Sequence, residues 1–190
     1  WDAQGWYGGD YRRLWLKTEG ERLVSDSNGE AELQALYGQL VAPYWDVQAG
    51  LRYDRVFGSG RDRDRAFGVL GIQGTAPYRF ETDAALFVSE DGDLSLRAEF
   101  EYELLLTQRL ILQPRVEINA AAQRVRAWGI GRGINDVQLG LRLRYEIRRE
   151  FAPYLGVEWA RKLGDTADIA RDEGEEVSVP ALVAGVRLWF

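Results

Sequence analysis

Across residues 94–123 apolar and polar positions alternate in a way that predicts two long β-strands joined as a hairpin. Leu94, Leu96, Ala98, Phe100, Tyr102 and Leu104 are separated by Ser95, Arg97, Glu99, Glu101 and Glu103. After a short connection at Thr107-Gln108-Arg109, Leu110, Leu112, Pro114, Val116, Ile118, Ala120 and Ala122 alternate with Ile111, Gln113, Arg115, Glu117, Asn119 and Ala121. Successive side chains of a strand point to opposite faces, so one face is hydrocarbon-like and the other is crowded with charge. Soluble strands average about six residues. Each of these runs for about twelve. A strand that crosses an outer membrane needs roughly nine to eleven tilted residues, with lipid-facing and lumen-facing positions in alternation. The hairpin meets that requirement.

The same period of two recurs along the chain. It predicts strands over 10–20, 30–41, 46–54, 66–75, 80–88, 136–147, 154–161 and 178–190, which with the hairpin makes about ten, eight being the alternative. Residues 1–9, rich in aromatics and glycine, read as a lead-in. Compact connections carry a repeated tripeptide, Ala42-Pro43-Tyr44, Ala76-Pro77-Tyr78 and Ala152-Pro153-Tyr154, in which proline marks a turn. The segments 21–29, 55–65, 124–135 and 163–177 read as longer polar loops. Short turns at one rim and long loops at the other are the outer-membrane pattern. Phe190 ends the chain behind Leu182, Ala184, Val186 and Leu188 at every second position, like the C-terminal aromatic signature of bacterial barrels. The expected fold is all-β: an antiparallel up-and-down transmembrane β-barrel in one domain over 1–190, with short periplasmic turns and long extracellular loops, in the bacterial outer membrane.

Composition narrows the function. No run of eighteen apolar residues exists and mean hydropathy is −0.33, so a helical membrane protein is excluded. The net charge of −6 and the lack of a basic run with interleaved aromatics argue against nucleic acid as a partner. There is no Cys, His or Met. A Ser-His or Cys-His pair cannot be built, and no imidazole or thioether is at hand for a metal, so the expectation is a non-enzyme without a tightly bound cofactor. A lipid hydrolase would need a histidine-activated serine. The start at Trp1, without Met or a signal peptide, predicts a processed or trimmed form.

Several stretches together resemble the copper-resistance protein B family of bacterial outer membranes: 45–54 (WDVQAGLRYD), 71–80 (GIQGTAPYRF), 101–114 (EYELLLTQRLILQP), 140–154 (GLRLRYEIRREFAPY) and 183–190 (VAGVRLWF). The resemblance runs in order from about Glu30 onward. It implies an outer-membrane barrel that serves copper tolerance alongside periplasmic copper proteins. Family members often carry a Met- and His-rich region before the barrel, and this chain lacks those ligands.

With the charged face of each strand taken as lumenal, Glu32, Asp54, Glu81, Asp83, Glu99, Glu101, Glu103, Glu117, Glu146 and Glu158 lie inside with Arg13, Lys17, Arg52, Arg97, Arg115, Arg142, Arg144 and Arg187. One reading is a lumen filled by cross-strand ion pairs, since charge facing lipid costs roughly 2–4 kcal/mol at mid-membrane. The sharper reading is a cation path at Glu81, Asp83, Glu99, Glu101, Glu103 and Glu117, because carboxylate rings select cations. Carboxylates hold copper(II) weakly and exchangeably, whereas tight copper(I) capture needs soft sulfur. The expected partners are outer-membrane lipid and lipopolysaccharide, copper ions and periplasmic copper-resistance proteins. Arg61-Asp62-Arg63-Asp64-Arg65 offers contacts for lipopolysaccharide or exposed self-pairing charge. The acidic segment 163–177 reads as a solvated loop without EF-hand spacing. Gly129-Ile130-Gly131-Arg132-Gly133 reads as a surface loop rather than a phosphate cradle.

Overall fold

The computed structural model describes residues 1–22, 29–58, 63–76 and 80–189. Among these, twelve strands form a sheet whose hydrogen-bonded order follows the chain, with one short strand off the path. They are β1 (Asp2–Gly8), β2 (Arg12–Arg22), β3 (Gly29–Ala42), β4 (Trp45–Phe57), β5 (Arg63–Ala76), β6 (Phe80–Ser89), β7 (Leu94–Tyr102), β8 (Leu104–Leu105), β9 (Leu110–Ala121), β10 (Gly133–Tyr145), β11 (Phe151–Lys162) and β12 (Ser178–Leu188). A 3-10 turn spans Arg126–Trp128 and one helix, α1, spans Gly164–Asp172.

Two elements raise the count above the ten expected. The lead-in 1–9 is a strand: β1 pairs with β2 from Asp2↔Glu19 to Gly8↔Arg13. Trp6 meets Trp15 across the pair at 6.5 Å between ring centroids, and the Arg13 guanidinium lies 4.7 Å from the centroid of the Trp6 ring. Such cross-strand aromatic and cation–π contacts stabilise a pair that has no charge alternation to betray it. The second addition is the stub β8. The strand expected to run through Leu104 breaks at Glu103, and Leu104 and Leu105 pair with Leu112 and Ile111 as a separate piece.

Because paired neighbours run antiparallel, connections alternate between strand ends. One end carries Pro43 and Tyr44 and the segments 9–11, 106–109 and 146–150; the other carries 90–93, 122–132 and 163–177. The asymmetry in length holds at 122–132 and 163–177, whereas 90–93 is as short as the connections at the opposite end. Tyr44 takes a left-handed φ of 68° in the tightest of these turns. Ala152-Pro153-Tyr154 is not itself a turn: it opens β11, where Pro153 sits opposite Val186. Proline is tolerated near the start of a strand, where one missing ladder donor costs little. Pro77, Tyr78, Arg61, Asp62 and Phe190 lie outside the described residues, as do positions 23–28 of the turn-rich loop.

The contacts divide the chain into two units, 1–74 with 85–94, and 75–84 with 95–190. In the first, β3 exposes Leu33, Ala35 and Tyr37 and covers Gln34 and Leu36, while β4 exposes Ala49, Leu51 and Tyr53 and shields Arg52 and Asp54. The covered face also holds a small apolar cluster of Leu36, Phe67, Val69 and Phe87, with Trp15 and Ala85 against it. Phe67 and Phe87 meet edge to face at 6.2 Å. Gly50 permits the close approach of β3 and β4, since a Cβ there would lie 2.1 Å from the Ala35 carbonyl oxygen.

In the second unit Leu139, Leu141, Leu143 and Tyr145 of β10 and Leu155 and Val157 of β11 are exposed, while Arg142, Arg144, Gly156 and Glu158 between them are covered. Both units therefore turn large apolar side chains outward and shelter charge. A sheet folded for water does the reverse.

The segment 163–177 contains α1 rather than only a loop. Thr166, Ala167, Ile169 and Ala170 are buried. Thr166 Oγ1 accepts from the Gly131 amide at 2.9 Å and from Asn135 Nδ2 at 2.8 Å, and Asn135 Nδ2 also donates to the Gly131 carbonyl at 2.7 Å. Gly131 has no room for a side chain, because a Cβ would come within 2.3 Å of the Thr166 amide nitrogen. Thr166→Val leaves two buried donors without their acceptor, a loss of about 1–3 kcal/mol. The expected result is cleavage within 164–172 at least about tenfold faster in limited proteolysis, with the strands unaffected.

Candidate functional site

The covered charges of the second unit form a lattice across β7, β9, β10, β11 and β12. Strand alternation brings Glu99, Glu101 and Glu103 to the same face, and the register of β7 with β9 sets Glu99 opposite Glu117 and Glu101 opposite Arg115. Arg115 bridges the acids: Nε donates to Glu99 at 2.5 Å and Nη2 to Glu117 at 2.6 Å. Glu117 also accepts from Asn119 at 2.9 Å and lies 3.6 Å from Arg97. Asn119 reaches Asp136 at 3.0 Å. On the far strands Arg142 donates to Glu158 at 2.5 Å.

Toward the end that carries the short connections, Glu103 is shared. Arg144 donates to it at 2.8 Å, Gln113 at 3.2 Å, and Arg187 stands 3.6 Å away. Arg144, whose side chain is only 5 % exposed, also reaches Glu146 at 3.4 Å, yet its Nε and Nη1 are buried without a hydrogen-bond partner. Glu101 takes a 2.6 Å hydrogen bond from Gln113 and has no arginine within ion-pair distance among the described residues. Glu81 has neither a hydrogen-bond nor an ion-pair partner among the described residues and is exposed. Asp83 is half-buried on the same strand face.

Of the six acids foreseen as a cation path, Glu99, Glu103 and Glu117 are held by guanidinium groups, whereas Glu81 and Glu101 have no arginine at ion-pair distance among the described residues. Among the described residues no three acidic side chains are grouped to hold a metal ion. Still, the face is acidic: Glu81, Asp83, Glu99, Glu101, Glu103, Glu117, Asp136, Glu146 and Glu158 outnumber Arg97, Arg115, Arg142, Arg144, Lys162 and Arg187.

The first unit answers its charge differently. Arg52 pairs with Glu32 at 2.8 Å and Asp54 at 2.7 Å, while its guanidinium lies 4.7 Å from the Phe87 ring centroid and 5.2 Å from that of Phe67. Arg65, 4 % exposed, lies 5.1 Å from the Phe67 ring, pairs with Asp93 and donates to Ser89 at 3.1 Å. Gln48 donates to Gln73 at 2.8 Å. Sequence reasoning missed this arginine–phenylalanine stack. Its signal was the run Arg65, Phe67, Val69, whose odd positions share one face, but the strand was expected only from residue 66 and Arg65 was read as part of the loop 55–65.

This strand arrangement is similar to that of two porins of known structure. The chain is similar to the NanC porin, with a TM-score of 0.59 and 12% identity over 100% of this chain and 99% of that one, and to the KdgM porin, with a TM-score of 0.52 and 12% identity over 95% and 97%. Identity this low speaks for the fold alone. The chain belongs to the copper resistance protein B family: the family described as copper resistance protein B precursor (CopB) matches residues 1–190. It is 49% identical over 193 residues to "Copper resistance protein B" of Escherichia coli and 45% identical over 190 residues to "Copper resistance protein B homolog" of Pseudomonas syringae pv. tomato. The whole chain is covered in both cases, and it spans 62% and 63% of the length of these relatives.

Proposed function

We propose that the chain is a non-enzymatic β-barrel of the bacterial outer membrane that serves copper resistance, and that its charged face lines a lumen acting as a low-affinity path for copper(II). The observation that carries this reading is the acidic surplus on the covered face of the second unit, with Glu81 and Glu101 outside ion-pair distance of any described arginine. Carboxylates spread along strands, without a chelating group among the described residues, attract a hydrated divalent cation and let it leave. Periplasmic copper proteins and lipopolysaccharide are its natural neighbours in that setting.

The test is copper(II) flux into liposomes holding the purified chain. Glu81→Gln with Glu101→Gln is expected to lower flux several-fold while the protein still inserts. Neutralising Glu99 or Glu103 is a poorer probe, because it also removes an ion-pair partner from Arg115 or Arg144. Flux no higher than in empty vesicles rejects the path and leaves a barrel plugged by its own ion pairs, acting as a docking platform.

A further inference from the structure

The outward face of the second unit carries a groove of about 540 Å³ across β10, β11 and β12. Leu139, Leu141, Val157, Trp159 and Leu182 wall it, and Gly140 contributes no side chain to its floor. Leu182 is 88 % exposed, the highest value of any large apolar residue described. The Trp159 indole is fixed at one wall by a 2.8 Å hydrogen bond from Nε1 to Ser178 Oγ. Two residues further along β11, on the same face, Arg161 is exposed and makes no ion pair among the described residues. It stands opposite Val137 and Ser178, on the side of the groove that leads to α1 and the long connection. With a strand rise of roughly 3.4 Å per residue, Arg161 is about 14 Å along β11 from Val157.

We propose that this groove holds an acyl chain of a phosphorylated outer-leaflet lipid of the lipid A type, with Arg161 on its phosphate. The proposal rests on the membrane reading given above, in which the long connections face outward from the cell. An unpaired guanidinium at the aqueous end of an apolar slot has the charge to recognise an anionic headgroup and the fork geometry to grip phosphate. The indole beside it is the side chain that favours the boundary between headgroup and hydrocarbon. Arg161 thus differs from Arg52, Arg115, Arg142 and Arg144, which are all engaged by carboxylates on the covered face.

The experiment compares wild type, Arg161→Ala and Arg161→Lys in detergent by native mass spectrometry, with bis-phosphorylated lipid A, its dephosphorylated form and phosphatidylglycerol as probes. Wild type is expected to retain lipid A over both other lipids, Arg161→Ala to bind it about tenfold more weakly, and Arg161→Lys to fall between. Equal retention by Arg161→Ala, or wild type holding dephosphorylated lipid equally well, overturns the site. Heat-shifted gel mobility is read on the same samples. Its presence without lipid selectivity refutes the lipid site alone, whereas its absence from wild type refutes the membrane reading and the lipid site with it.

Discussion

Leu141→Arg is expected to cost about 2–4 kcal/mol of folding stability in a bilayer, the penalty of a cation facing hydrocarbon near the mid-plane. Leu141 is exposed on β10, between Pro114 of β9 and Val157 of β11, and Leu139 and Leu143 extend the same apolar row. On the surface of a water-soluble sheet the same replacement would change stability by no more than about 0.5 kcal/mol and would improve solubility. The sign of the experiment is thus diagnostic of the solvent that this face meets. Urea unfolding from lipid vesicles measures it, with Leu141→Ile as the conservative control. A Leu141→Arg protein that folds into vesicles as stably as wild type, or a wild-type chain monodisperse in buffer without amphiphile, would contradict the assignment.

Arg115→Ala is expected to be a severely damaging single change on the sheltered face, at about 3–5 kcal/mol, because it removes a side chain that grips both Glu99 and Glu117. Glu117 is the more costly orphan, with its side chain 9 % exposed and Arg97 only at 3.6 Å. Neutralising the acids in the same protein, as Arg115→Ala with Glu99→Gln and Glu117→Gln, is expected to restore most of the stability. A double-mutant cycle from equilibrium unfolding separates the pair term from simple loss of packing. If the triple variant is no more stable than Arg115→Ala, the lattice contributes through shape rather than charge.

The strands and their facing were legible in the sequence wherever charge marked the polar face. Arg97, Glu99 and Glu101 assign the face of β7 without ambiguity, and Arg142 and Arg144 do so for β10. Strand β1 was not legible, because Trp6, Tyr7 and the glycines around them give no alternation and its place depends on a cross-strand contact with Trp15. Helix α1 was hidden by its acids. Thr166, Ile169 and Ala170 do have helical spacing, but over nine residues that signal is short, and the docking partner Gly131 is remote in the chain. The charged face could be listed from sequence, yet which acids were already taken could not. Pairing is a property of register: only when β9 is set between β7 and β10 does Arg115 meet two glutamates while Glu101 meets a glutamine.

The cluster of Leu36, Phe67, Val69 and Phe87 has a consequence for extraction. An inside-out protein normally owes its cohesion to the surrounding amphiphile, but here the first unit also keeps a greasy nucleus of its own, capped by Arg52 and Arg65 and hidden from lipid and water alike. Stripping away the amphiphile would leave that nucleus intact for longer than the leucine-clad outer surface. On detergent dilution, amide exchange should therefore begin in β10 to β12 and reach β3 to β5 last.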